Sequence, residues 1–197
     1  MPASKNYMRE NFMLTPETKL LIQHWAAVEE IIRANDNLHV QLTELLLSIG
    51  SDLTKKDWWS EKWNFVDRSP GQVFIAHNHW RYEKTNYAIW IGIEGFCPSA
   101  LFGKETFQFA QLYVYTPLGD KEFISEIRQL FRGRKIRGSV EEKCANYIIK
   151  DFLPKILPSQ SDDFEMIVRD RVIEFFSFFA KEETGITEIV TRQLVAK

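Results

Sequence analysis

An α+β fold is predicted, with N-terminal helices, a central three- or four-stranded antiparallel sheet and a C-terminal helical layer. Three observations predict it. Apolar residues recur at steps of three and four in the first and last thirds of the chain, which is helical spacing. Between them, Gln72 to Tyr82, Tyr87 to Phe96 and Thr106 to Thr116 are rich in aromatic and β-branched residues. The turn signal Ser69-Pro70-Gly71 opens that strand-rich stretch.

The first helix starts at Thr15-Pro16-Glu17, where Thr15 can cap free amides and the missing N–H of Pro16 costs nothing. Leu20, Leu21, Trp25, Val28, Ile31 and Ile32 form its apolar face, and the pattern resumes from Leu38 through Leu42, Leu45, Leu46 and Ile49. Asn35-Asp36-Asn37 weakens the centre, so the stretch reads as two helices or one long helix ending near Gly50. The segment from Ser51 to Phe65 has no sustained period and reads as a packed connector. It holds Trp58, Trp59 and Trp63, of which Trp59 and Trp63 are expected to be buried and Trp58 to lie near the surface.

The three strand runs suggest a meander. In the second run Tyr87, Ile89, Ile91 and Ile93 share one face, while the opposite row of Ala88, Trp90, Gly92 and Glu94 is far from fully polar. Both faces are therefore expected to be partly covered. Asp120 can cap a helix carrying Phe123, Ile124, Ile127, Leu130 and Phe131, which stops near Gly133. Ser139-Val-Glu-Glu142 matches a capping box for a second helix that ends or kinks at Pro154. Asp162 with Glu165 can do the same for a third, whose stripe is Phe164, Val168, Val172, Phe175, Phe176 and Phe179. The resulting organisation is a helical segment over 1–55 and an α+β domain over 56–197.

Composition narrows the classes of function. The 197 residues are 45% hydrophobic and 26% charged, a globular profile, and 25 Lys and Arg against 27 Asp and Glu give no global field toward nucleic acid or membrane. Aromatic residues reach 14%, which speaks for core or interface. With only Cys97 and Cys144, disulfide scaffolds and four-cysteine zinc sites are excluded. No basic and apolar leader or long apolar run is visible, so a cytoplasmic protein without membrane partners is expected. Phosphate-loop, dinucleotide, His-Glu-x-x-His and Gly-x-Ser-x-Gly signatures are absent, and no motif calls for a cofactor. Glu141-Glu142-Lys143 reads as capping and surface charge, and Cys144 as a small helical thiol.

Three constellations could carry chemistry. His77 and His79 alternate on a predicted strand, which places both imidazoles on one face where they could share a metal such as zinc. A third ligand is needed, and Glu94, Cys97 or Glu83 could supply it. The plainer reading is two partly exposed strand histidines bonded to neighbours or water. The basic run from Arg128 to Gly138 contains Arg128, Arg132, Arg134, Lys135 and Arg137 and could hold a phosphate, or form a solvated loop between two helices. Trp80, Tyr82, Tyr87 and Trp90 could give a stacking platform for bases, with Arg68 or Arg81 lying over a ring, and Trp58 could anchor a partner.

In general character the chain resembles small microbial and phage-associated α+β modules, a likeness that implies no activity. Two readings of function follow. The one that needs no unseen ligand is a non-catalytic interaction protein, binding a protein or nucleic acid, or a second copy of itself, through the basic loop and aromatic surface. The alternative is a metal-dependent hydrolase or nuclease built on His77 and His79.

Overall fold

The computed structural model describes residues 14–84, 86–103, 109–132 and 146–195. The chain divides into two compact units, Met1–Leu38 and His39–Lys197. In the first, helix α1 (Pro16–Gln23) starts on Thr15, whose hydroxyl accepts the Thr18 N–H at 3.2 Å. Helix α2 (Trp25–Leu53) follows after His24 and continues into the second unit. The interruption falls at His24, while Asn35-Asp36-Asn37 is helical: these residues weaken helix propensity without forbidding it, and the hydrogen-bonded turns on either side carry the helix through them.

The second unit is built on five antiparallel strands in the order β1-β2-β3-β4-β5: β1 (Trp63–Ser69), β2 (Gln72–His77), β3 (Trp90–Glu94), β4 (Gln111–Tyr115) and β5 (Tyr147–Phe152). The expected α+β architecture and meander are present, with more strands than the three or four predicted. The connector reading misses β1, and the helix reading up to Pro154 misses β5. Both short segments lack a clean two-residue alternation, and pairing with a neighbouring strand decides them. In β5 a register shift at Val114/Tyr115 lets Ile148 and Ile149 both be buried, which blurs the period. The capping box at Ser139–Glu142 lies outside the described residues.

The hairpin between β1 and β2 turns at Gly71, whose φ of +74° suits glycine, and a Cβ there would sit 2.6 Å from the Phe96 carbonyl oxygen. One face of the sheet carries the row Phe65, Ile75, Ile91, Val114 and Ile149 in register. Four of these five are buried outright, Phe65 being half-buried. The opposite face carries Phe74, Trp90, Tyr113 and Tyr115, with Tyr113 lying across Gly92, where a Cβ would meet its ring and hydroxyl at 2.7 Å. Both faces are therefore partly covered, as expected from the second strand run.

Beside the C-terminal part of α2, the helices of this unit among the described residues are α3 (Pro98–Phe102), α4 (Lys121–Leu130), α5 (Phe164–Ala180) and α6 (Glu183–Val195). Asp120 caps α4 by accepting the Glu122 and Phe123 N–H groups, and its other oxygen accepts from Gln193 of α6 at 2.9 Å. Helix α5 buries the predicted residues Val168, Val172, Phe175, Phe176 and Phe179, each side chain contributing about 1.5–3 kcal/mol by leaving water. Its start differs from expectation: Asp163 precedes it without a side-chain cap, and Glu165 accepts from Arg169. The guanidinium of Arg169 also reaches Asp52 and Ser48, and Arg171 pairs with the buried Asp151 of β5. Among the described residues, no helix is long and apolar enough to cross a membrane.

Candidate metal centre

Strand β2 ends on His77, paired with Trp63 of β1, and the chain then tightens into a 3₁₀ turn over Asn78–Trp80. The alternation argument for His77 and His79 thus fails in its detail, since His79 is not on a strand. The turn nevertheless brings the two rings together, with centroids 4.9 Å apart and planes at 87°. Its geometry is held by the Asn78 N–H donating to the Lys62 carbonyl at 2.8 Å and by Asn64 Nδ2 donating to Asn78 Oδ1 at 2.8 Å. His77 is only 2% exposed, against the expectation of a partly exposed ring, while His79 is open to solvent. Trp63 packs its ring on the His77 imidazole at 5.1 Å and so supplies an apolar wall.

The third donor comes from far along the chain. Glu183, the first residue of α6, places Oε1 3.4 Å from His77 Nδ1. One ligand atom from each of His77, His79 and Glu183 lies within 4.8 Å of the others. For a tetrahedral ion with ligands at about 2.0–2.1 Å the donors stand roughly 3.3 Å apart. The solvent-exposed His79 can close that difference by turning its side chain. The carboxylate is aimed by a relay: fully buried Trp80 donates its Nε1–H to Thr187 Oγ1 at 2.9 Å, and the Thr187 hydroxyl donates to Glu183 Oε1 at 2.9 Å. Such outer contacts fix the direction of a ligating group.

His77 Nδ1 is buried and makes no hydrogen bond, although the carboxylate stands beside it. Burial holds the His77 imidazole below its ordinary range; Glu183 pulls the other way, and His79 and Lys62 reinforce the depression. The ring is neutral at neutral pH, the form that offers a lone pair to a metal.

The acids and thiol proposed from sequence are occupied elsewhere. Glu94 lies on the aromatic face of the sheet and accepts from Gln72, Gln111 and Tyr147. Glu83 accepts from Asn86, and Cys97, a free thiol, contacts the Ser99 hydroxyl at 3.3 Å. Glu183 went unseen because an acid in the first turn of a helix is ordinary dipole chemistry, and nothing local couples it to residues in β2.

The remaining predicted residues disperse. Arg128 donates to the Ile148 and Tyr147 carbonyls of β5 at 3.0 and 3.3 Å, and Arg132 is exposed. Arg134, Lys135 and Arg137 lie outside the described residues. Trp80 is buried in the relay rather than facing solvent, and Tyr87 is buried under Arg81, whose guanidinium lies 5.0 Å from its ring centre. Trp90 is half-buried, stacked on Tyr115 at 4.6 Å with Arg68 at 5.9 Å on its ring. Trp63 is buried as expected and Trp58 is half-buried, its Nε1 donating to Ser177 at 3.0 Å. Trp59, expected to be buried, is only half so, because the three rings pack on one another with Trp63 innermost.

No protein-family model, curated protein or solved structure matches the chain.

Proposed function

We propose that the protein is a metal-dependent hydrolase whose divalent ion is held by His77, His79 and Glu183. The observation that carries this reading is the buried, unpartnered Nδ1 of His77 beside a carboxylate and a second imidazole. Burying a polar atom without a partner costs free energy, about 1–3 kcal/mol, and coordination removes that penalty. Two imidazoles and one carboxylate are a zinc donor set that leaves a fourth position for water or substrate. His79 is exposed, so an ion held there would be reached by water or substrate from the solvent side. When bound, the ion would supply Lewis acidity and an acidified water as the nucleophile. His77 and Glu183 would form the fixed half of the site, His79 the half that closes, and Thr187 and Trp80 would act as positioning residues.

The test is zinc titration by calorimetry on chelator-stripped protein, with elemental analysis of a sample purified without chelator. One equivalent of zinc is expected. It should be lost in His79→Ala, whose exposed side chain is removable without disturbing the core. Absence of binding at 100-fold molar excess of zinc, or unchanged affinity in His79→Ala, overturns the reading. Hydrolysis of chromogenic phosphodiesters and esters by the zinc-loaded protein then identifies the bond cleaved.

A second reading, a cytoplasmic protein that binds nucleic acid without catalysis, draws support from the half-buried Trp90–Tyr115 stack and the exposed Arg132. It predicts oligonucleotide binding that weakens steeply with salt and with Arg134→Ala/Arg137→Ala.

A further inference from the structure

The first unit carries a stripe of exposed apolar side chains along its helices. In α1 and the first turns of α2, Leu21, Trp25 and Ile32 are 45%, 49% and 51% exposed, and Leu20, Ile22 and Ile31 are exposed further still. The helical hydrogen bonds run through the His24 break, His24 N–H donating to the Leu20 carbonyl at 3.1 Å and Val28 N–H to that of His24 at 3.1 Å. Leu21, Trp25, Val28 and Ile32 follow one another at steps of four, three and four, the seam spacing of packed helices. Thr18 precedes and Asn35 follows in the same phase, so the seam is apolar in the middle and polar at both ends.

From this pattern we infer that the stripe is a self-association surface, covered by the same stripe of a second copy running antiparallel. The reading is independent of the metal centre. In the antiparallel register Leu21 faces Ile32 of the second copy and Trp25 faces Val28. The largest side chain, Trp25, then meets the smaller Val28, Leu21 meets an Ile32 of equal volume, and Thr18 meets Asn35, polar against polar. A parallel pair would instead set Trp25 on Trp25 and bring the acids Glu29 and Glu30 of both copies to one level. The exposed side chains present on the order of 500 Å² per copy, or about 1,000 Å² for the pair, the size at which specific interfaces begin. Charge argues against a lipid surface as the occupant: Glu17, Glu29, Glu30 and Asp36 outnumber Lys19 and Arg33, whereas helices that lie on membranes are basic.

Sedimentation equilibrium of the full chain is the test. A species of twice the 23.2 kDa chain mass is expected at micromolar concentration. Trp25→Glu/Ile32→Glu, which alters only exposed positions, should raise the dimer dissociation constant by at least about a hundredfold with circular dichroism unchanged, since interface energy concentrates in central apolar anchors. Direction is read by oxidation in a Cys97→Ser/Cys144→Ser background. Thr18→Cys/Asn35→Cys should cross-link two chains, while each single cysteine variant should not. A monomer up to 200 µM, a dimer untouched by Trp25→Glu/Ile32→Glu, or cross-linking by single cysteines each overturns the inference.

Discussion

Replacing Thr187 with valine tests the relay behind the candidate metal centre at a single hydroxyl. Valine keeps the branched shape but removes the oxygen that accepts from Trp80 and donates to Glu183. Trp80 is 0% exposed, so its indole N–H has no water to turn to. The cost is that of one buried unsatisfied donor, about 1–3 kcal/mol. For a chain of this size the urea slope is about 2 kcal/mol/M, so the unfolding midpoint should fall by roughly 0.5–1.5 M. Trp80→Phe deletes the donor, and in the Thr187→Val background its cost should shrink by about 1 kcal/mol, the coupling expected for direct partners. A purely structural relay would stop there. A relay that also aims Glu183 should weaken zinc binding by about 10–100-fold in Thr187→Val, the usual effect of losing an outer contact. Additive unfolding free energies in the cycle, with unchanged zinc affinity, would refute the reasoning.

Two other perturbations follow from the packing. Gly92→Ala drives a methyl into the ring and hydroxyl of Tyr113 and should destabilise the sheet by about 1–3 kcal/mol, read as a lower midpoint in thermal or urea unfolding; full stability would mean the aromatic face is loosely packed. The hydrogen bond from Lys55, with the charge of Arg169, holds the Asp52 carboxyl below its ordinary value against the opposing effect of burial. A depressed folded value makes the contribution present above the unfolded range near pH 4 and lost as pH falls through the folded value. Asp52→Asn should therefore lower the unfolding midpoint at pH 6, with a deficit that shrinks as the pH is lowered to 2. An equal deficit at both would remove Asp52 from the acid response.

Much of the sheet and the helical layer was legible because burial on one side imposes a period. Ile89, Ile91 and Ile93 announced the central strand, and Val168, Val172, Phe175, Phe176 and Phe179 announced α5. Edge strands gave less. Trp63 to Ser69 has a burial pattern that fades toward its end, so its sequence carries no full alternation, and Ile148-Ile149 sits on a register shift. At the site, the histidine pair was visible from its spacing, although a 3₁₀ turn rather than a strand brings the rings together. The carboxylate was not visible. Pairing Glu183 with His77 is a fact of how α6 meets the turn after β2, and no interval in the sequence encodes it.

That meeting point also carries a mechanical meaning. His77 closes β2 and Glu183 opens α6, so a ligand that draws them together clasps the end of a hairpin to the C-terminal helix across roughly a hundred residues of intervening chain, the kind of long loop whose closure is entropically expensive. The clasp works in both directions, because a ligand favouring the docked helix is itself bound more tightly when the helix is docked. Fraying of the C-terminal helix and occupancy of the histidine pair are thus two readouts of one equilibrium.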